Sequence, residues 1–349
     1  MPPSYMKKLK GDGLPRSVGA KWAKLRKLAN HAYHGESLKS MIPAMIASTE
    51  TMLERWGNHE GKEIDVCEEF KLLTSEVISR TTFGSSYLEG LSIFEKSMKL
   101  FSFIFKMPFK LRLPGISKIF KTSDEVGSEK LEKEICDTLL AIVKKREKKA
   151  MTTGGEGNNF GSDFLGLLLK TCHDSSDKNR ISLEDLVNEC KTFYFAGQEI
   201  LDVLTWTIFL LALHTDWQQK ARKEVLEIFD KQAPNSNSIF KLKTMSMIIN
   251  ESLRLYPPIV SIVRKADNEV RLGNLIVPAD VELLIPNLAF HHEPQYWGRD
   301  VHLFKPERFS EGVARATITA EPHSYPLEWD LERVWASTLR QRRQKLFCQ

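Results

Sequence analysis

The sequence lacks any uninterrupted apolar run of the roughly 18 residues that a membrane-spanning helix needs, and Met1–Gly13 carries lysines without an apolar signal core. The expectation is a chain with no membrane anchor of its own. Cysteine is scarce. The five thiols, Cys67, Cys136, Cys172, Cys190 and Cys348, are odd in number and form no CxxC pair, which argues against a disulfide framework or a zinc cage and fits a reducing compartment. An excess of one charge is also missing. The 50 Lys and Arg against 45 Asp and Glu leave a net charge of +5, too small to argue for a nucleic-acid partner. The basic cluster Lys144–Lys149 reads as a solvated helix face. No internal repeat is present.

What the chain does have is the composition of a folded globular protein, with 42% hydrophobic and 27% charged residues. Its 349 residues allow a single large helical domain. Helical periodicity sets in near Lys21 and continues, with breaks, to about Lys149. The Gly- and Asn-rich stretch Thr152–Ser162 reads as a surface loop and Asp174–Asn179 as a second polar break. Ser182 with Asp185 predicts a capped start for a long helix reaching about His214. Its apolar part, Val203–Leu213, follows Gln198, Glu199 and Asp202 and has the length of a buried core helix.

Further helices are expected from Thr215 to about Asp230 and from about Ile239 to Leu255, where Pro257 and Pro258 stop the second. Beyond them, Val260–Lys265, Glu269–Leu272, Leu275–Val277 and Val281–Ile285 are short, β-branched and divided by Gly or Pro, as small strands are.

Glu251 and Arg254 stand three positions apart on one helix face, where a charge-assisted pair forms. Alone, such a spacing is most often a surface pair. Here Leu255-Tyr256-Pro257-Pro258 follows it, and about fifty residues later comes Lys305-Pro306-Glu307-Arg308-Phe309. That ordered combination resembles the Glu-x-x-Arg and Pro-Glu-Arg-Phe pair of the cytochromes P450. The resemblance implies a mainly α fold, a large helical domain with small β-sheets, here incomplete at both ends. It also implies that Glu251, Arg254 and Arg308 interlock in a buried network beneath a haem.

Three further stretches resemble the same family. Ala196-Gly197-Gln198-Glu199 is similar to the oxygen-binding kink of its long helix, where the acid and a following hydroxyl deliver protons to bound dioxygen. Ile200 stands where that family usually has threonine, so the relay lacks its hydroxyl. The competing reading of Ala196-Gly197 is close helix packing. Trp22 and Arg26 resemble a Trp-x-x-x-Arg helix whose indole and guanidinium donate to a haem propionate, and their i, i+4 spacing shares one face. Unaided, that pair reads as packing or a cation–π contact. Arg264 sits where many relatives place another propionate partner.

The texture of Lys21–His34, Leu72–Ser85 and Cys190–Glu199 is similar to plant enzymes that oxidise terpenoids, steroids and gibberellin-like hormones. The likeness runs from about Leu9 to about Thr317 and omits the anchor helix and small sheet that open such enzymes. It implies haem b as cofactor, NADPH-cytochrome P450 reductase and a small apolar substrate as partners, and the cytosolic face of the endoplasmic reticulum membrane as location.

One element of the family is missing. Where Phe-Gly-x-Gly-x-Arg-x-Cys-x-Gly should supply a proximal thiolate to the iron, the chain reads His323-Ser324-Tyr325-Pro326-Leu327-Glu328-Trp329-Asp330-Leu331-Glu332, and no metal ligand is assigned. Cys348 has no Phe-Gly loop before it. The expected division is therefore a P450-like domain over 1–317 and a non-homologous tail over 318–349.

The tail reads as the right segment in the wrong frame. When the last base of each codon is joined to the first two of the next, the single Trp codon forces glycine at the steps Trp329-Asp330 and Trp335-Ala336. Those two lie six positions apart, as the last two glycines of the signature do, and the step Arg333-Val334 permits cysteine two positions before the second. Suitable codons turn Ser324–Glu332 into Leu-Pro-Phe-Gly-Met-Gly-Pro-Arg, which sets the frame change between about Thr317 and Ala320. The chain as written is expected to be inactive, with haem bound weakly or not at all. The rival readings are a non-catalytic pseudogene or splice product, and a helical binding module without haem.

Overall fold

A computed structural model describes residues 7–8, 11–85, 87–106, 122–152, 160–175, 180–230 and 232–317. The tail 318–349 and parts of both expected loops lie outside the described residues. The chain forms two compact units, residues 1–198 and 199–349.

The first unit contains α1 (Gly19–Ala32), α2 (Gly35–Gly57), α3 (Val66–Ile78), α4 (Tyr87–Lys106), α5 (Ser123–Thr152) and α6 (Phe164–Cys172). Asp65 starts α3 by accepting from the backbone N–H groups of Cys67 and Glu68, and Phe70, Leu73, Val77 and Ile78 bury its apolar face. The helix then widens into one π turn, Ser79–Phe83, closed by Gly84 at φ 50°. Phe83 stacks on Tyr194, with ring centroids 4.5 Å apart. Tyr33 stacks on Phe193 and donates its hydroxyl to Thr82 Oγ1.

The basic cluster on α5 departs from the solvated-face reading at Arg146. Its guanidinium donates to the carbonyls of Phe83 (2.7 Å) and Phe160 (2.9 Å) and to Asp163 Oδ2 (2.8 Å), because three acceptors converge there. Asp163 also caps α6, accepting from Gly166 N. One guanidinium thus joins the end of the π turn, the loop before α6 and the first turn of α6.

The long helix α7 (Leu183–Leu213) begins in the first unit and ends in the second. Ser182 and Asp185 form the expected reciprocal cap, and Lys21 reaches Asp185 at 2.6 Å. Among the described residues α7 is the one helix long and apolar enough to cross a membrane, with mean hydropathy 1.4 over its window. A count of uninterrupted apolar residues passes over it because it carries charged residues such as Glu199 and Asp202. Since 56% of that window is buried inside the protein, its pattern is that of a core helix.

In the second unit, α8 (Thr215–Phe229) lies close to its expected span. The helix expected from about Ile239 to Leu255 is found as α10 (Lys243–Leu255), which starts later than expected, after a break that separates it from the short α9 (Ser236–Ile239). The break is stabilised from outside its own sequence. The Glu224 carboxylate of α8 accepts from Thr244 N at 2.7 Å and Met245 N at 3.1 Å, so it caps α10.

The strands are β1 (Ile262–Lys265), β2 (Val270–Leu272), β3 (Leu275–Val277) and β4 (Glu282–Ile285). They form two antiparallel pairs, β1 with β4 and the hairpin β2–β3, with Lys265 opposite Glu282 and Leu272 opposite Leu275. Gly273, at φ 59°, makes the hairpin turn. Short helices α11 (Asn287–His291) and α12 (Pro294–Trp297) follow, then single 3₁₀ turns at Pro306–Phe309 and Val313–Arg315.

Candidate functional site

The second unit is organised around two arginines and one glutamate. Glu251 and Arg254 lie one turn apart on α10, both 0% exposed, and pair in a bidentate fork: Nε to Oε2 at 2.7 Å and Nη2 to Oε1 at 2.8 Å. Arg254 also donates to the carbonyls of His291 (2.9 Å) and Leu303 (3.4 Å), and its guanidinium lies 5.1 Å from the Trp297 ring. Glu251 Oε1 accepts from Lys305 N at 2.9 Å.

Arg308 approaches Glu251 Oε1 to 3.5 Å through Nε. It donates to the Trp297 carbonyl, the Asp300 carbonyl and Asp300 Oδ1, each at 2.7 Å. Hydrogen bonds from Lys305 and Arg308 hold the Asp300 carboxyl down at about 2. One fully buried and one largely buried cation thus face one fully buried anion, with main-chain carbonyls and the Asp300 carboxylate accepting from the other guanidinium nitrogens. His291, 1% exposed, has neither ring nitrogen in a hydrogen bond. Burial, reinforced by Arg254, lowers its pKa to about 4.

On α7, Ala196–Ile200 continues as α-helix without interruption. Gly197 is pressed against α3 and α4: a Cβ there would lie 3.1 Å from Ile78 Cγ1 and 3.4 Å from Phe94 Cε2. Glu199 and Ile200 are both 8% exposed. Asp202 lies on the next turn at an exposed edge, and desolvation of its inner side together with Glu199 pushes its carboxyl up to about 6.

The other sequence-selected residues are carried by α1 and β1. Trp22 and Arg26 share one face of α1, with Trp22 48% exposed and Arg26 half-buried, while Leu25, Ala29 and Ala32 bury the adjoining stripe. Arg264 is exposed on β1 opposite Leu283, and its Nη1 donates to the Val263 carbonyl at 3.1 Å.

Sequence reasoning missed Arg146, His291 and a buried carboxylate, Glu189, on α7. Glu189 is 0% exposed, and burial pushes it up to about 7. A charged residue in an amphipathic stretch was the only signal for each. Arg146 meets two carbonyls and a carboxylate and Glu189 meets a loop amide, partners that no spacing rule reveals, while His291 is set apart by burial alone.

Comparison with known proteins gives a consistent picture. A family profile described as Cytochrome P450 matches residues 3–325. Cytochrome P450 CYP749A22 of Panax ginseng is 57% identical over 317 residues, covering 90% of this chain and 60% of that protein. Cytochrome P450 734A1 of Arabidopsis thaliana is 41% identical, with 89% and 60% covered. The 11-oxo-beta-amyrin 30-oxidase of Glycyrrhiza uralensis is 39% identical, with 91% and 61% covered. The chain therefore spans about 60% of the length of these curated relatives. Among solved structures, retinoic acid-bound cyanobacterial CYP120A1 superposes with a TM-score of 0.78 at 21% identity, covering 100% of this chain and 75% of that one.

Proposed function

The chain belongs to the cytochrome P450 family and has its mainly helical fold with small sheets, and from that premise we propose that it is the body of a haem-dependent monooxygenase. The proposed reaction inserts one oxygen atom of O2 into an apolar organic substrate, with electrons from NADPH-cytochrome P450 reductase at the cytosolic face of the endoplasmic reticulum. The observation that carries this reading is the buried network of Glu251, Arg254 and Arg308, whose desolvation cost makes it an improbable ornament on a binding module. Glu251, Arg254 and Arg308 are assigned to holding the haem-binding core. Ala196, Gly197 and Glu199 are assigned to the oxygen-binding stretch, and Trp22, Arg26 and Arg264 to the haem propionates.

The iron donor set among the described residues does not fit that cofactor. Cys67 is exposed, Cys136 and Cys172 are half-buried, and Cys190 is fully buried with its thiol pushed well above its ordinary range by desolvation. No group of three or more His, Cys, Asp or Glu gathers as a metal site among the described residues. Gly197 is accounted for by its contacts with Ile78 and Phe94, and Ile200 offers no hydroxyl. No catalytic step is assigned to the chain as written. The proposed cause is the change of frame after about Thr317, and a non-catalytic product is the second reading that the donor set favours.

The test is the reduced carbon monoxide difference spectrum of the chain expressed with a haem supply, beside a version whose tail is restored to the alternative frame. A thiolate-type Soret band in the restored protein alone is expected. The same band from the chain as written would overturn the account of the tail, and a transcript in which no base change restores the signature would overturn the frame reading.

A further inference from the structure

Residues 11–17 form a strap that lies along α7 before leading into α1. Its fit to the helix is backbone-close at two glycines. A Cβ on Gly11 would lie 2.8 Å from the Asn188 carbonyl oxygen, and one on Gly13 would lie 2.5 Å from Thr192 Oγ1 and 2.7 Å from Glu189 Oε1. Leu14 is 4% exposed, and its backbone N–H donates to Glu189 Oε1. The Gly13 carbonyl accepts from Arg16 N, Ser17 N and Ser17 Oγ, which folds the strap back on itself. Glu189 is sealed beneath it, and its second oxygen, Oε2, has no partner.

We infer that Glu189 is a proton-operated latch that holds the Gly11–Ser17 strap closed on α7 when protonated and releases it when ionised. In the closed state the carboxyl meets one donor and an otherwise dry surround, whereas in the open state water solvates it. The charged groups around it do not cancel that preference. Lys21 of α1 is the nearby cation, and it is engaged by Asp185, whose own charge opposes ionisation of Glu189. Within the strap, Asp12 pairs with Lys7 and Arg16, and on the far side Lys191 pairs with Glu132. Burial pushes the Glu189 carboxyl from an ordinary 4.5 to about 7, which sets the working range of the latch. Below the lower value both states are protonated and closure is strongest, and it weakens as pH rises through about 7. Because the strap runs into α1, opening frees the N-terminal side of the helix that bears Trp22 and Arg26.

The test is hydrogen exchange at the Leu14, Arg16 and Ser17 amides of the full chain, corrected for intrinsic rates, at pH 6 and pH 8. Linkage predicts that the opening constant rises about tenfold between them. Glu189→Gln keeps the acceptor and removes the titration, so its exchange should not change with pH. Gly13→Ala should leave the strap open at both pH values, because the added methyl group cannot fit. Equal protection of the native strap at both pH values would overturn the proposal, and so would a tenfold rise that persists in Glu189→Gln. Should that variant lose its helical circular dichroism, a pH step surviving in Gly13→Ala would have the same force.

Discussion

Replacing Arg254 by leucine tests the central network most directly. The substitution leaves Glu251 fully buried, with the Lys305 N–H at 2.9 Å and the Arg308 guanidinium at 3.5 Å as its remaining partners. It also strips a donor from the His291 and Leu303 carbonyls. Breaking one side of a buried ion pair costs about 3–5 kcal/mol, because the desolvation of the stranded charge is no longer offset. A surface pair at the same spacing would cost roughly 0.5 kcal/mol. Arg254→Lys should fall between these limits, since an ammonium group cannot reproduce the fork to both carboxylate oxygens.

The double variant Glu251→Gln with Arg254→Leu should be less destabilised than the sum of its parts, by about 1–3 kcal/mol, because the uncompensated anion is gone. Urea unfolding followed by circular dichroism reads these differences as shifts in midpoint at constant slope. A loss below about 1 kcal/mol in Arg254→Leu, or strict additivity in the double variant, would refute the argument that burial makes this network decisive.

Three further outcomes are expected. Arg146→Ala should cost roughly 2 kcal/mol in urea unfolding, since it removes the donors to Phe83, Phe160 and Asp163, and Arg146→Lys should restore only part of that. Gly197→Val should cost about 1–3 kcal/mol by forcing methyl groups onto Ile78 and Phe94, read as a lowered midpoint in the same assay. His291 is neutral in the fold down to about 4 but protonates near 6.5 when unfolded. Its contribution is therefore intact above the unfolded value and is lost as pH falls toward the folded one, by about 3 kcal/mol in all. His291→Phe should flatten that acid-side slope while leaving the carbonyl that serves Arg254 in place, and an unchanged slope of stability against pH would exclude His291 as its source.

Much of the helical framework was legible in the sequence because its signals are local. Ser182 and Asp185 announce the start of α7 within one turn, and the double proline ends α10 where expected. The four strands begin within two residues of their expected positions, since Gly and Pro punctuate them. The break between α9 and α10 was not legible, because its stabilising carboxylate, Glu224, lies on another helix.

The same reason hid Arg146, which sits among lysines of identical pattern and differs only in what the fold brings to it. Within the candidate site, the Glu251 and Arg254 spacing could be read directly. Their link to Arg308 came from a family resemblance, and the tight seat of Gly197 against two other helices required the packed structure. Glu189 shows the limit clearly. A glutamate seven positions before Ala196 gives no hint that a glycine strap will seal it from water.

Apart from Glu251 and Asp300, the oxygens that receive Arg254 and Arg308 belong to the main chain, at His291, Trp297, Asp300 and Leu303. Such contacts are blind to the identity of the side chains that flank them. Apart from Trp297, Asp300, Val301 and Phe304, whose side chains are buried or paired, the positions between α11 and the Pro306–Phe309 turn are therefore free to drift in composition, provided that the path of the chain is kept. Mutational tolerance there should follow backbone geometry: Leu303→Met is harmless, whereas a proline that redirects the chain at the same position dismantles the clasp without touching a charged residue.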